Sequence, residues 1–158
     1  METRPLNVHD IPAIIALMDL GSPFVRPRTE SDYWLYANLF SGTCPVAVEG
    51  GELVGAIIAF RSQNDPGDVY MQDVVTHPGH RRRGVITTLL NTVREVGLRL
   101  GCTRLYLTSE PENTSAHRAW SRLGFANIAG DHISNGISVI TDYKGPGRHR
   151  AVYELRLA

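Results

Sequence analysis

Apolar positions along this chain keep two different periods. Over residues 8–20, "VHDIPAIIALMDL", Ile11, Ile14, Ile15 and Met18 share one helical face. Asn7 or Asp10 can cap that helix, and Pro12 falls near its start, where a missing N–H is tolerated. Residues 29–40, "TESDYWLYANLF", predict a second helix, capped by Thr29 or Ser31, with Trp34, Leu35 and Leu39 apolar. The period then drops to two. "PVAVEGGELVGAIIAF" is a pair of β-branched runs around Gly50 and Gly51, whose freedom at positive φ permits a tight hairpin. "VYMQDVVTH" is the next strand of the same antiparallel meander. A helical period returns from about Gly84 to Leu100: Ile86, Leu89, Leu90, Val93, Val96 and Leu100 form a core-facing stripe, and Gly101 a stop. "TRLYLTS" predicts a strand and "NTSAHRAWSRLG" a helix closed by Gly124. "FANIAG", "ISVITDY" and "AVYELRL" supply the last strands, and "TRPLNV" a short first one. "SPFVRPR" and "YKGPGRHR" are loops.

No repeat or linker interrupts this alternation, so a single domain over residues 1–158 is expected, of mixed α/β class. Charge narrows the function classes. Sixteen Lys and Arg balance sixteen Asp and Glu, which argues against a nucleic-acid or membrane-surface binder. No apolar run is long enough for a membrane span, and the first residues carry no signal pattern. Cys44 and Cys102 have no metal-ligand spacing. No metal is expected, and the thiols predict buried free cysteines in a reducing cytoplasm. The assembly is left open between a monomer and a homodimer.

One stretch is chemically specific. In "HPGHRRRGVITTLL", residues 77–90, a strand runs into a basic turn, a glycine and then a helix. The first turn of a helix leaves backbone N–H groups without partners, at the positive end of the helix dipole. Several amides can therefore grip one anion. Gly84 lets oxygens approach the main chain closely, no proline between Arg81 and Leu90 removes a donor, and Arg81, Arg82 and Arg83 attract a polyanion. This is neither a P-loop, since no lysine-serine pair follows the glycine, nor a Rossmann fingerprint, since the glycine spacing is absent.

The stretch resembles motif A of the GNAT superfamily of acetyl-coenzyme A-dependent acyltransferases. The family pattern is Gln or Arg, two residues, Gly, one residue, then Gly or Ala, and here it reads Arg81-Arg82-Arg83-Gly84-Val85-Ile86. "NTSAHRAWSRLGF" resembles the family's motif B through Asn113, Ala116, Gly124 and Phe125. The resemblance is strongest over residues 50–126. It implies a mixed, mostly antiparallel sheet of about seven strands, flanked by about four helices and splayed between strands four and five. Two positions depart from the pattern. Ile86 stands where Gly or Ala is usual, and Trp120 where many members carry a tyrosine that protonates the departing thiolate. Indole cannot take that role.

The resemblance implies acetyl-coenzyme A as co-substrate and an amine as acceptor. Its pyrophosphate would sit on the amides of Arg82 to Thr87, including Val85, its pantetheine arm along Val74 and Val75, and Asn113, His117 and Trp120 beside it. The N–H of Val74 would polarise the thioester carbonyl. Asp73 and Glu110 are the carboxylates placed to take the amine's proton. Acceptor contacts are expected from Phe24, Arg26, Arg28, Asp32, Tyr33 and Tyr36, and from Asp142 and Tyr143. "DYWLYANLFSGTCPVAVEGGELVG" also resembles the diaminobutyrate acetyltransferases of this superfamily, a hint about acceptor size. N-acetylation of a small primary amine is the first expectation. A protein N-terminal or lysine acetyltransferase, and a coenzyme-binding sensor without turnover, are the alternatives.

Overall fold

The structure is a computed structural model that describes residues 1–157. Strand β1 (Glu2–Pro5) leads through a 3-10 turn into helix α1 (Ile11–Asp19), and a loop into α2 (Glu30–Leu39). Strands β2 (Pro45–Glu49), β3 (Glu52–Arg61) and β4 (Asp68–Thr76) follow as the expected meander. Helix α3 (Val85–Arg99), β5 (Arg104–Ser109) and α4 (Thr114–Arg122) come next. The chain closes with β6 (Ala126–Asn127), a small hairpin of β7 (His132–Ser134) and β8 (Ile137–Val139), and β9 (Ala151–Arg156). Seven strands form one sheet in the order β1-β2-β3-β4-β5-β9-β6, antiparallel except for β4 against β5. No described helix is long and apolar enough to cross a membrane.

Two cores lie on opposite faces of the sheet. Ile14, Leu17 and Met18 of α1 and Tyr33 of α2 pack with Val46, Ala56, Ile58 and Val75. Val85, Leu89, Leu90 and Val93 of α3 and Trp120 of α4 pack with Val54, Ile57, Ala59, Val69 and Met71. The α3 stripe is as expected in its middle and differs at its ends. Val85 and Gly97 are buried there, whereas Leu100, past the last turn, is exposed. Helix α2 turns the other way from the expectation. Thr29 does cap it, in a reciprocal capping box with Asp32. Yet Trp34, Leu35 and Leu39 face outward, while Tyr33 is fully buried and Tyr36, Ala37 and Phe40 pack behind it. A tyrosine can take the core side because its hydroxyl has a partner there, the backbone N–H of Arg28 at 2.9 Å. Cys44 and Cys102 are buried free thiols, and burial pushes that of Cys44 up to about 12.

A register shift shapes the middle of the sheet. Ile58 opposes Asp73 but Ala59 opposes Met71, so Gln72 is an extra residue on β4. In an unbroken strand, Met71, Asp73 and Val75 would point to one face. Here Met71 packs on the α3 side, and Val75 on the α1 side.

The seat of α3 depends on one small residue. A Cβ on Gly55 of β3 would run into the Val85 side chain at the start of α3. We expect Gly55→Ala to cost about 1–3 kcal/mol through overpacking, and to lower Tm by about 3–10 °C in thermal denaturation. Adding Val85→Ala removes the obstacle. The double variant should therefore lose less than the sum of the two single losses, by about 1 kcal/mol. Strict additivity would mean that this contact does not seat the helix.

Candidate active site

Strands β4 and β5 part company halfway. Their parallel pairing runs from Asp68 with Arg104 to Met71 with Leu107 and stops. Beyond it, Thr108 and Ser109 pair only with β9, and Asp73 to Thr76 only with β3. The gap is a cleft of about 170 Å3, lined by Gln72, Asp73 and Val74 on one arm and by Leu107, Thr108, Ser109 and Glu110 on the other. Phe24, Arg28, Asn113, Trp120, Lys144 and Arg150 complete it.

The ladder phase decides which backbone groups face the gap. His77 donates its N–H to the Val54 carbonyl at 2.8 Å, which makes Thr76–Gly55 a non-hydrogen-bonded pair and Val75–Ala56 a hydrogen-bonded one. The main-chain groups of Val74 and Thr76 therefore point away from β3, toward the gap. Those of Val75 are directed at β3, and its side chain is buried. Of the expected pair, Val74 thus turns its main chain to the gap and Val75 does not; Thr76 does so in its place. The Thr76 hydroxyl is also a buried oxygen without a partner.

The basic turn ends the same strand. Arg82 and Gly84 both take positive φ, 64° and 74°, so the turn curls tightly before α3 begins. A Cβ on Gly84 would meet nothing within 4 Å; that position borders open space. The amides of residues 82–87 make no hydrogen bond among the described residues. Arg83 lies 3.9 Å from Glu49, while Arg81 and Arg82 have no acidic partner among the described residues. Ile86 is partly buried, its side chain packed against the α3-side core. These features fit an anion with several oxygens, as a pyrophosphate has.

Across the sheet, Arg28 in the α1–α2 loop grips Asp73. Nε donates to Oδ2 at 3.2 Å and Nη2 to Oδ1 at 3.1 Å, and the pairing raises the guanidinium pKa further. Asp73 is only 6% exposed, and both its oxygens are engaged. Glu110 differs: it is half-buried on the cleft wall, and its carboxylate has no partner among the described residues. Several expected acceptor contacts lie elsewhere. Tyr33 is a core residue whose phenol is pushed up by burial. Tyr36 packs edge-on against Tyr33 and leans on Phe60, with burial pushing its phenol up to about 12. Asp32 is spent on the α2 cap. Arg26 is exposed, off the cleft wall. Asp142 accepts from Gly147 N–H at 2.8 Å within its own loop, and Tyr143 is likewise outside the lining. Phe24 does line the cleft, 45% exposed. Lys144 and Arg150 line it as well; in the sequence they fall in "YKGPGRHR", which reads as a plain loop, and its density of basic residues is the signal they leave there.

Helix α4 supplies the remaining wall. Asn113 lines the cleft, and its Oδ1 caps the helix by accepting from Ala116 N–H at 3.1 Å. Trp120 lines it too, 9% exposed and edge-on to Phe125. His117, on the same helical stripe, is instead tied to the Tyr153 hydroxyl, 2.7 Å from its Nδ1, and is not part of the cleft lining.

Known proteins share this architecture. The L-2,4-diaminobutyric acid acetyltransferase of Nocardia farcinica is 31% identical over 84 residues, 53% of this chain and 44% of that protein, so the match spans less than half of the relative. Among solved structures, Ard1 from Thermoplasma volcanium superposes with a TM-score of 0.79 at 14% identity, covering 99% of this chain and 97% of that one. The diaminobutyrate acetyltransferase of Paenibacillus lautus, in complex with L-2,4-diaminobutyric acid and coenzyme A, gives 0.72 at 20% identity, over 99% and 94%. The yncA protein of Salmonella typhimurium, with its cofactor acetyl-CoA, gives 0.72 at 18%, over 100% and 94%. Residues 14–125 match the profile of the acetyltransferase (GNAT) family. That match covers more than half of the chain, from α1 through both sides of the cleft to Phe125, and the chain therefore belongs to the acetyltransferase (GNAT) family.

Proposed function

We propose that this acetyltransferase moves the acetyl group of acetyl-coenzyme A to a primary amine of a small molecule, by direct attack within a ternary complex. The observation that carries the reading is the gap between β4 and β5, with the main chain of Val74 turned into it. At one end of β4 stand the uncommitted amides of residues 82–87; beyond the other side of the gap stand charged side chains suited to a polar acceptor. The cleft, about 170 Å3 and open to solvent, is smaller than the roughly 300–1,000 Å3 of sites that bury drug-sized ligands, which favours a small acceptor.

On this reading the turn at Arg81 to Thr87 binds the pyrophosphate, and Val74 and Thr76 pair with the pantetheine arm as a further strand would. Thr76 brings an unpartnered hydroxyl as well. The Val74 N–H polarises the thioester carbonyl. Glu110, whose carboxylate is free, takes a proton from the ammonium, directly or through water. The amine nitrogen then attacks the carbonyl carbon. A C–N bond forms, the C–S bond breaks, and the second proton of the nitrogen neutralises the thiolate. Asp73 anchors Arg28 and the α1–α2 loop, both its oxygens being engaged by the guanidinium. Trp120 packs beside the coenzyme, and no proton moves through it. The packing of Ile86 against the core weakens the steric argument for a sensor without turnover.

Three outcomes follow. At acetyl-coenzyme A about 100-fold above its Kd, the native state should gain about 2.7 kcal/mol, a rise in Tm of about 5–10 °C. Gly84→Glu puts a carboxylate against the free amides and should abolish that rise, whereas Gly84→Ala should cost about 1 kcal/mol of stability and keep most of it. An undiminished rise in folded Gly84→Glu would remove the pyrophosphate from this turn.

Glu110→Gln should lower kcat by about 100-fold, with a smaller effect on KM. Asp73→Asn should instead lower stability by about 1 kcal/mol, because it weakens an ion pair whose carboxylate is buried but whose guanidinium is partly screened by solvent, and raise the KM for the amine as the loop loosens. Steady-state kinetics and denaturant titration of both variants separate these roles; the reverse pattern would make Asp73 the base.

Trp120→Phe should retain kcat within about tenfold while the fold is kept. A loss of several orders of magnitude in a folded variant would show that the indole does more than pack.

A further inference from the structure

The charges that line the cleft are unevenly matched for an amine. Arg28, Lys144 and Arg150 are cationic, Asp73 and Glu110 anionic. Arg28 and Asp73 satisfy each other. That leaves Lys144 and Arg150 against Glu110 alone, and neither cation has a carboxylate within 4 Å among the described residues. The Arg150 guanidinium donates to the His149 carbonyl at 2.8 Å, its hydrogen bond among the described residues. Lys144 is steered to the cleft by an uncharged residue: Nζ donates to the Tyr70 hydroxyl and stands 5.1 Å from the centre of the Tyr70 ring. Two uncompensated cations beside one acid would repel a simple amine, which arrives as an ammonium ion.

The coenzyme's phosphates do not account for them. Met71 and Ala151 belong to the core under α3. Their strand neighbours Tyr70 and Arg150 therefore point off the opposite face, the face of the α1–α2 loop. The basic turn opens at the start of α3, on the other side. Tyr70 is also six residues before the end of β4, about 20 Å along an extended strand from where that turn begins.

We propose that Lys144 and Arg150 form a carboxylate subsite, and that the acceptor is an amine which also bears a carboxylate, of the amino-acid or diamino-acid class. This rests on the acetyl-transfer reading above and adds the acceptor's second group. Lys144 and Arg150 hold the carboxylate, while Glu110, which follows Ser109 where β5 pairs with Ala151, meets the ammonium on the same cleft wall. One acid and two bases on one cleft match the charges of a zwitterion. A peptide N-terminus, whose own carboxyl is locked in an amide, lacks the group the two cations would bind.

Matched acceptors that differ only by a carboxylate give the test: L-2,4-diaminobutyrate with 1,3-diaminopropane, L-ornithine with putrescine, L-lysine with cadaverine. Release of coenzyme A is followed with the full chain, and binding of each acceptor to the coenzyme A-loaded protein by calorimetry. For at least one pair, kcat/KM should favour the acid by about tenfold or more. In Arg150→Gln and Lys144→Gln that preference should fall toward one, mainly through KM, while the affinity for coenzyme A stays as in the wild type. Equal use of both members of every pair overturns the subsite and leaves acetyl transfer standing. Variants that lose coenzyme A affinity in place of the preference overturn it too, since the cations would then serve the phosphates. Should no amine be acetylated, calorimetry still decides: tighter binding of the acids, lost in Arg150→Gln, upholds the subsite against a failed reading of the reaction, and indifference to the carboxylate rejects both.

Discussion

Between Met71 and Asp73, strand β4 carries one residue more than β3 across the same span, and that single insertion sets the rest of the site. Had the ladder run on unbroken, Asp73 would point with Met71 into the core under α3, among Val and Leu side chains. An unpartnered carboxylate there would cost several kcal/mol or stay protonated. The bulge sends it to the other face, where Arg28 meets it. At the same point β4 and β5 cease to pair, so the strand edge left bare is the one that Val74 and Thr76 present. Carboxylate placement and the opening of the sheet thus have one origin.

The second constraint is the tether across that opening. Arg28 belongs to a loop between two helices, and loops of this kind are mobile unless held. Two contacts hold it: its side chain on Asp73, and its backbone N–H on the Tyr33 hydroxyl. Tyr33 can serve only if α2 rolls it fully into the core, which explains why Trp34, Leu35 and Leu39 are left outside. Helix α2 gives up some apolar burial so that the loop over the cleft has a fixed anchor.

Much of this was legible in the sequence, for reasons that differ by element. Helix α3 and the β2–β3 hairpin follow from periodicity, because each buries one regular face and the solvent takes the other. The turn at Arg81 to Gly84 was legible because a glycine before a helix leaves few conformations and few uses. What escaped depends on partners far apart in the chain. The inverted face of α2 needs a hydroxyl acceptor for the Arg28 amide. The exchange of Val75 for Thr76 as the backbone facing the gap needs the phase of one ladder, fixed by the His77–Val54 bond. Asp73 reads as a candidate base until a guanidinium 45 residues away in sequence is seen on both of its oxygens. Lys144 and Arg150 sit in a glycine-rich loop that no period describes, and only the fold brings them to the cleft.

The cleft is a slot through the sheet, walled by residues that belong to both faces: Val74 and Trp120 on the side of α3 and α4, Phe24 and Arg28 on the other. A slot of this kind makes the sheet a partition with two vestibules. On the acetyl-transfer reading, donor and acceptor would approach from opposite vestibules and meet only at the partition. Neither would block the other's doorway, and the spent coenzyme could leave without passing the acylated amine. A single molecule threaded through the slot would be gripped from both vestibules at once, and it could escape only by withdrawing whichever end is narrow enough to pass.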